Sequence, residues 1–176
     1  MRKFVLMMVL MMSTVTAASA EAPRKLLFVD TGNTGRSVTA EALANADIAK
    51  GKLNIRTISR AVDKNPFEIH PEANVVTLLK QRGLDVSAHL AAQIDAQDVS
   101  HADLILTMTA KHKAKVLERF PQAQGKVFTL SEYATGTDTE VPDAFGKPMD
   151  VYVAMLKQVD SYVAQALKKI AAPSGF

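Results

Sequence analysis

The chain has 176 residues, a formal net charge of +3 and no cysteine. That length suits one domain with a real core, and the missing thiol excludes disulfides, thiolate metal sites, acylation at cysteine and thiol catalysis. With the first 20 residues removed the charge would be only +1, and a nearly neutral domain gives no electrostatic case for nucleic acid or an anionic membrane as partner.

Residues 1–20 read as a secretory signal peptide. Arg2 and Lys3 form a positive start, residues 4–12 an uncharged apolar run, and Ala18-Ser19-Ala20 a small-residue cleavage site before Glu21. The alternative, an uncleaved anchor, has an apolar run short for a bilayer. Cleavage would remove Arg2 and Lys3 and take +3 to +1. It would leave residues 21–176 as the domain, periplasmic or secreted, with no stable membrane association.

The domain alternates strand-like and helix-like segments. Residues 25–29 are a continuous apolar run suited to a buried parallel strand. A helix is expected over residues 37–49, with Ser37 able to cap it and Val38, Ala42 and Leu43 facing inward. Residues 54–59 alternate and predict the second strand. His70-Pro71-Glu72 opens a helix with Val75, Val76, Leu78 and Leu79 toward the core, closed by Gly83. Residues 103–108 predict the third strand, 110–120 a helix stopped by Pro121, and 126–130 the fourth strand. Residues 131–150 read as a loop. A long amphipathic helix follows from Met149 to about residue 170, with Val153, Leu156, Val159, Val163 and Leu167 at helical spacing. The alternation predicts an α/β fold, a three-layer α/β/α sandwich with a four-stranded parallel sheet.

Between the first strand and first helix stands Asp30-Thr31-Gly32-Asn33-Thr34-Gly35-Arg36-Ser37. A tight loop at a helix N-terminus turns consecutive N–H groups inward and adds the favourable end of the helix dipole, which suits a tetrahedral oxyanion. Gly32 and Gly35 suit positive φ or close approach. Asn33 can brace the loop, and Arg36 can clamp two phosphate oxygens. Ser37 can donate to the group at position 30. Thr31, Gly32, Asn33, Thr34, Gly35, Arg36 and Ser37 are therefore the candidate phosphate-binding residues. The loop is neither a Walker A sequence nor a dinucleotide fingerprint. By itself it is also compatible with a plain strand–turn–helix bearing a surface arginine.

Further segments narrow the reading: Ala40-Glu41-Ala42, His70-Pro71-Glu72-Ala73, the run from Arg82 to His89, the run from Ala102 to Met108, and Val141-Pro142-Asp143-Ala144-Phe145-Gly146. In order and spacing they resemble the low-molecular-weight protein tyrosine phosphatases, and the arsenate reductases of the same fold, over about residues 25–168. The resemblance implies phosphomonoester hydrolysis, most naturally of an aryl phosphate or phosphotyrosine. Arg36 would be the clamp, Asp143 the general acid and Phe145 a substrate-flanking aromatic; Asp143 as a turn carboxylate and Phe145 as an ordinary packing aromatic stay open. Asp30 stands where the family has its cysteine nucleophile. Gly35 replaces a residue that is often a second cysteine, and Ala144 replaces the proline after the acid. Arsenate reduction consumes thiols, and none exist here.

Asp30 admits three roles. A carboxylate can itself form a phospho-enzyme, though more slowly than a thiolate. It can act as a base for water, weakened by the hydrogen bonds of the loop. Or it can occlude the site, accepting the loop N–H groups and pairing with Arg36. At an effective dielectric of about 20, a carboxylate ~4 Å from one phosphate charge is repelled by about 4 kcal/mol, roughly a thousandfold in affinity. The partner is then a phosphorylated small molecule or phosphotyrosine protein, or a protein partner if the site is silent. Loss of cysteine also suits an oxidising compartment.

No metal or cofactor is expected, since His70, His89, His101 and His112 lack metal-ligand spacing. His70 and His89 read as structural. The cluster Lys111-His112-Lys113-Ala114-Lys115 reads as a solvated helix face, or else a docking patch for an anionic partner.

Overall fold

Strand β1 (Arg24–Asp30) sends Leu26 and Phe28 to one face of a sheet and Leu27 and Val29 to the other, and all four are buried. Only a sheet covered on both faces can accommodate such a strand. The computed structural model describes residues 22–172, so the signal-peptide reading of residues 1–20 lies outside the described residues. Strands β2 (Ile55–Ala61), β3 (Leu104–Thr107) and β4 (Val127–Thr129) complete a parallel sheet in the order β2-β1-β3-β4.

Helices α1 (Arg36–Gly51), α2 (Ala73–Lys80), α3 (Ala96–His101), α4 (Ala110–Arg119), α5 (Leu130–Thr135) and α6 (Met149–Ala171) form the outer layers. On one face, Leu26 and Phe28 join Leu43 of α1, Val75 and Leu79 of α2, and Tyr152, Met155, Val159 and Val163 of α6. On the other, Leu27 and Val29 join Ile94, Val99 of α3 and Val116 of α4. This is the expected three-layer α/β/α sandwich. Chain order reverses at β1, whose neighbours are β2 on one side and β3 on the other, so a crevice opens at its carboxyl end. The loop from Asp30 to Ser37 lies there.

The structure departs from the sequence reading at several points. The expected loop 131–150 begins with α5, whose Thr129-Leu130-Ser131-Glu132 start is a capping box: Thr129 Oγ1 accepts the Glu132 N–H at 3.0 Å and Glu132 Oε2 accepts the Thr129 N–H at 3.2 Å. Helix α3 was not expected either; it is six residues long, too short for periodicity, and begins with a reciprocal Asp95–Asp98 cap. Helix α2 starts at Ala73 and ends at Lys80, with Gly83 in the left-handed region two residues past its Gln81 cap. The deepest residues of the first turns of α6 are Tyr152 and Met155, while Val153 is half-buried.

The lysine cluster on α4 is not a uniformly solvated face. His112 is buried, Lys113 pairs with Glu132 at 2.8 Å, and Lys115 pairs with Asp63. Those cations are satisfied within the fold, which removes most of the patch that an anionic partner could use.

Candidate functional site

The site begins where β1 stops. Asp30 is 3% exposed, and both oxygens of its carboxylate are engaged: Oδ1 accepts the Asn33 N–H at 2.6 Å and Oδ2 accepts the Ser37 N–H at 2.9 Å. Helix α1 starts at Arg36, after Gly35, and has no side-chain cap from its own N-cap residue. Ser37 therefore does not cap the helix. The Asp30 carboxylate reaches its first turn from the end of the strand instead, where a helix N-terminus favours negative charge. Burial pushes the Asp30 carboxyl above its ordinary value, against the lowering effect of the Ser37 bond, the nearby Arg36 charge and the Asn33 bond.

Asn33 holds the loop shape. It is fully buried and sits at φ 59°, in the left-handed region that asparagine tolerates better than most residues. Its Nδ2 donates to Ser37 Oγ at 3.0 Å and to Ser59 Oγ at 2.9 Å. Its Oδ1 accepts the Ala92 N–H at 3.0 Å and lies 3.2 Å from His89 Nε2. His89 thus braces the loop, while His70 is exposed. The positive φ expected at Gly32 and Gly35 is found at neither. Gly35 permits close approach: a Cβ there would fall on the Glu72 carboxylate, the end of a flexible side chain that occupies the space of the missing one. Gly32 has only an ordinary contact, with Thr34.

Arg36 does not pair with Asp30. Its guanidinium donates to the Val141 carbonyl at 3.2 Å and to Asp143 Oδ2 at 3.0 Å. The segment carrying Asp143 is pinned to the end of β3 by the Val141 N–H on the Met108 carbonyl at 3.1 Å. Arg36 is buried and Asp143 is 58% exposed at its side chain, so the pair spans the floor and rim of one cavity. That cavity, about 280 Å³, is lined by Asp30, Thr31, Gly32, Thr34, Gly35, Arg36, Asp63, Asn65, Glu68, Glu72, Asp143 and Phe145. Asn33 and Ser37 stand behind the wall as its frame.

The lining carries five carboxylates against the single arginine. Asp63 is held below the usual carboxylate range by its bond to Lys115, with Arg119 adding to it. Glu72 accepts the Tyr152 hydroxyl and is pushed up by burial, then by the charges of Asp143 and Asp30. Tyr152 is pushed up to about 12, chiefly by burial and by Glu72. His112 reaches the loop from α4, with Nε2 2.8 Å from Thr31 Oγ1; burial and the Arg36 charge push it down to about 4. Glu72, Tyr152 and His112 were missed in the sequence because their roles depend on three helices converging on one loop. Among the described residues no group of His, Cys, Asp and Glu is arranged to hold a metal ion.

The arrangement offers an oxyanion cradle in which Asp30 takes two of the loop N–H groups and Arg36 is turned to Asp143. Comparison with known proteins accounts for that architecture. The model of the family described as low molecular weight phosphotyrosine protein phosphatase matches residues 25–174. A protein-arginine-phosphatase of Geobacillus stearothermophilus is 32% identical over 149 residues, covering 84% of this chain and 97% of that protein. The low molecular weight protein-tyrosine-phosphatase PtpB of Staphylococcus epidermidis is 33% identical over 132 residues, covering 73% and 86%. The structure of a cysteine-to-serine mutant of the YwlE arginine phosphatase, with a phosphorylated active site serine, superposes with a TM-score of 0.81 at 31% identity, covering 85% of this chain and 97% of that one. The chain with Asp30 at the head of its loop belongs to the low molecular weight phosphotyrosine protein phosphatase family.

Proposed function

We propose that this chain is an exported member of its family in which Asp30 has closed the phosphoryl-transfer site, so that it acts by binding or regulation with little or no turnover. One observation carries the reading: both Asp30 oxygens hold N–H groups of the loop, at 2.6 and 2.9 Å. Loop N–H groups are the donors on which a working cradle relies to stabilise phosphoryl oxygens. Arg36, the clamp, is bound to Asp143 and the Val141 carbonyl. A phosphate dianion would have to displace a buried carboxylate and part an ion pair. Export is supported by the charged, apolar and small-residue pattern of residues 1–20 and by the lack of cysteine.

A second reading is slow phosphomonoester hydrolysis through Asp30 as nucleophile, with Asp143 as acid. The relative with a phosphorylated active site serine favours it, since there an oxygen carries the phosphoryl group. Of the groups named for the relatives, phosphoarginine and phosphotyrosine, the carboxylate-lined mouth favours the one beside a basic group.

The test is turnover of an aryl phosphate by the purified protein and by Asp30→Cys, Asp30→Ala and Arg36→Ala variants. The closed-site reading expects no turnover until Asp30→Cys restores it under reducing conditions, and expects Arg36→Ala to abolish the restored activity. Turnover by the unmodified protein that disappears in Asp30→Ala establishes the second reading instead.

A further inference from the structure

His112 is 5% exposed, and its two ring nitrogens are in unequal positions. Nε2 lies 2.8 Å from Thr31 Oγ1. Nδ1 is buried and has no hydrogen-bond partner among the described residues. An imidazolium would place a donor proton on each nitrogen, one of them unpaired. The neighbouring charges of Arg36, Lys115 and Lys111 oppose that form and Asp143 favours it, and with burial the balance keeps the ring neutral. A neutral ring carries one proton. If it sat on Nδ1, a buried N–H would be left without an acceptor, which native structures rarely tolerate; a bare Nδ1 lone pair is the smaller defect. The proton therefore sits on Nε2 and is donated to Thr31 Oγ1. An oxygen that accepts from His112 turns its own hydroxyl hydrogen elsewhere, and Thr31 lines the cavity beside Arg36.

We infer that His112 is a positioning residue of the cradle: its Nε2–H holds Thr31 so that the threonine hydroxyl donates into the cavity, giving a bound oxyanion a donor that Asp30 does not occupy. This assignment concerns the same loop but does not rest on Asp30 closing it. It predicts that two residues distant in sequence form one functional unit for oxyanion binding.

Long-range proton–nitrogen correlation spectra of the purified protein read the tautomer directly. Nε2 is expected to be protonated and Nδ1 bare, unchanged between about pH 7 and pH 5.5, across the range where an ordinary histidine titrates. A protonated Nδ1, or an imidazolium in that range, overturns the assignment. Binding of inorganic phosphate, followed calorimetrically in the unmodified protein and in Asp30→Ser, tests the consequence. In whichever binds, Thr31→Val and His112→Phe should each weaken phosphate roughly five- to tenfold, the scale of one hydrogen bond. Together they should weaken it no further. His112→Gln, which keeps an N–H donor, should recover most of the loss. Additive losses, no loss, or no phosphate binding by either protein overturn the proposal. Aryl phosphate turnover decides the closed-site reading separately, so the two can fail independently.

Discussion

Replacing Asn33 with alanine tests what holds the loop in shape. The side chain makes four polar contacts, donating to Ser37 Oγ and Ser59 Oγ and offering Oδ1 to the Ala92 N–H and to His89. Ser37 and Ser59 are buried, 0% and 1% exposed, so their hydroxyls gain no water when the amide leaves. Each lost contact at such a site is worth about 1 kcal/mol, and three well-formed ones give about 3 kcal/mol. Alanine in the left-handed region at φ 59° adds about 1 kcal/mol. The expected total is about 4 kcal/mol, read as a shift of the urea midpoint at constant slope. In a domain of this size that is roughly 8–16 °C of melting temperature. Asn33→Gly is the control: it loses the same contacts without the steric cost at positive φ, and should recover part of that last 1 kcal/mol, set against glycine's greater unfolded-state entropy. A loss under about 1 kcal/mol in Asn33→Ala would refute the claim that this side chain holds the cradle.

Three further expectations follow from the same geometry. Burial raises the Asp30 carboxyl, so the folded state holds its proton more tightly than the unfolded state, and Asp30 makes stability fall as pH rises from the unfolded value of 3.8 through the folded one; urea unfolding across that window should show Asp30→Ser gaining on the unmodified protein as pH increases, and a constant difference would contradict it. Gly35→Ala should push the Glu72 carboxylate off its bond with Tyr152 and cost about 1 kcal/mol, the scale of that hydrogen bond, and Glu72→Ala in the same chain should relieve most of that cost; simple additivity in thermal unfolding would show that the two positions do not compete for space. Arg82→Ala should change the urea midpoint by less than about 1 kcal/mol, because the 2.7 Å pair with Asp160 is exposed on both sides and screened; a larger loss would assign that pair a structural role.

Much of the fold was legible because it rests on local patterns. The apolar run in β1 announced a strand buried on both faces, and the stripe of α6 announced a helix lying on the sheet. The glycine-bearing loop and Arg36 could be picked out by residue type, and the distant Asp143 by the resemblance of its segment to the family's acid loop. Helix α5 was legible in principle from its Thr129–Glu132 capping box. Six-residue α3 was not, since its ends depend on how Asp95 and Asp98 face each other.

What the sequence by itself determined is the sheet, the loop and the loss of the thiol. A continuous apolar strand, a helical stripe and the absence of cysteine are properties of residues read in order, independent of what they meet in space. Tertiary structure alone decided how the site is wired. Arg36 turned to Asp143 and left the Asp30 carboxylate to the loop N–H groups, Glu72 filled the space above Gly35, and His112 left its lysine-flanked run to meet Thr31. Each of these choices is a competition among donors and acceptors brought together at the carboxyl end of β1 from segments far apart in the chain. Hydrogen-bond direction and burial decide such competitions, and neither exists until the layers have packed.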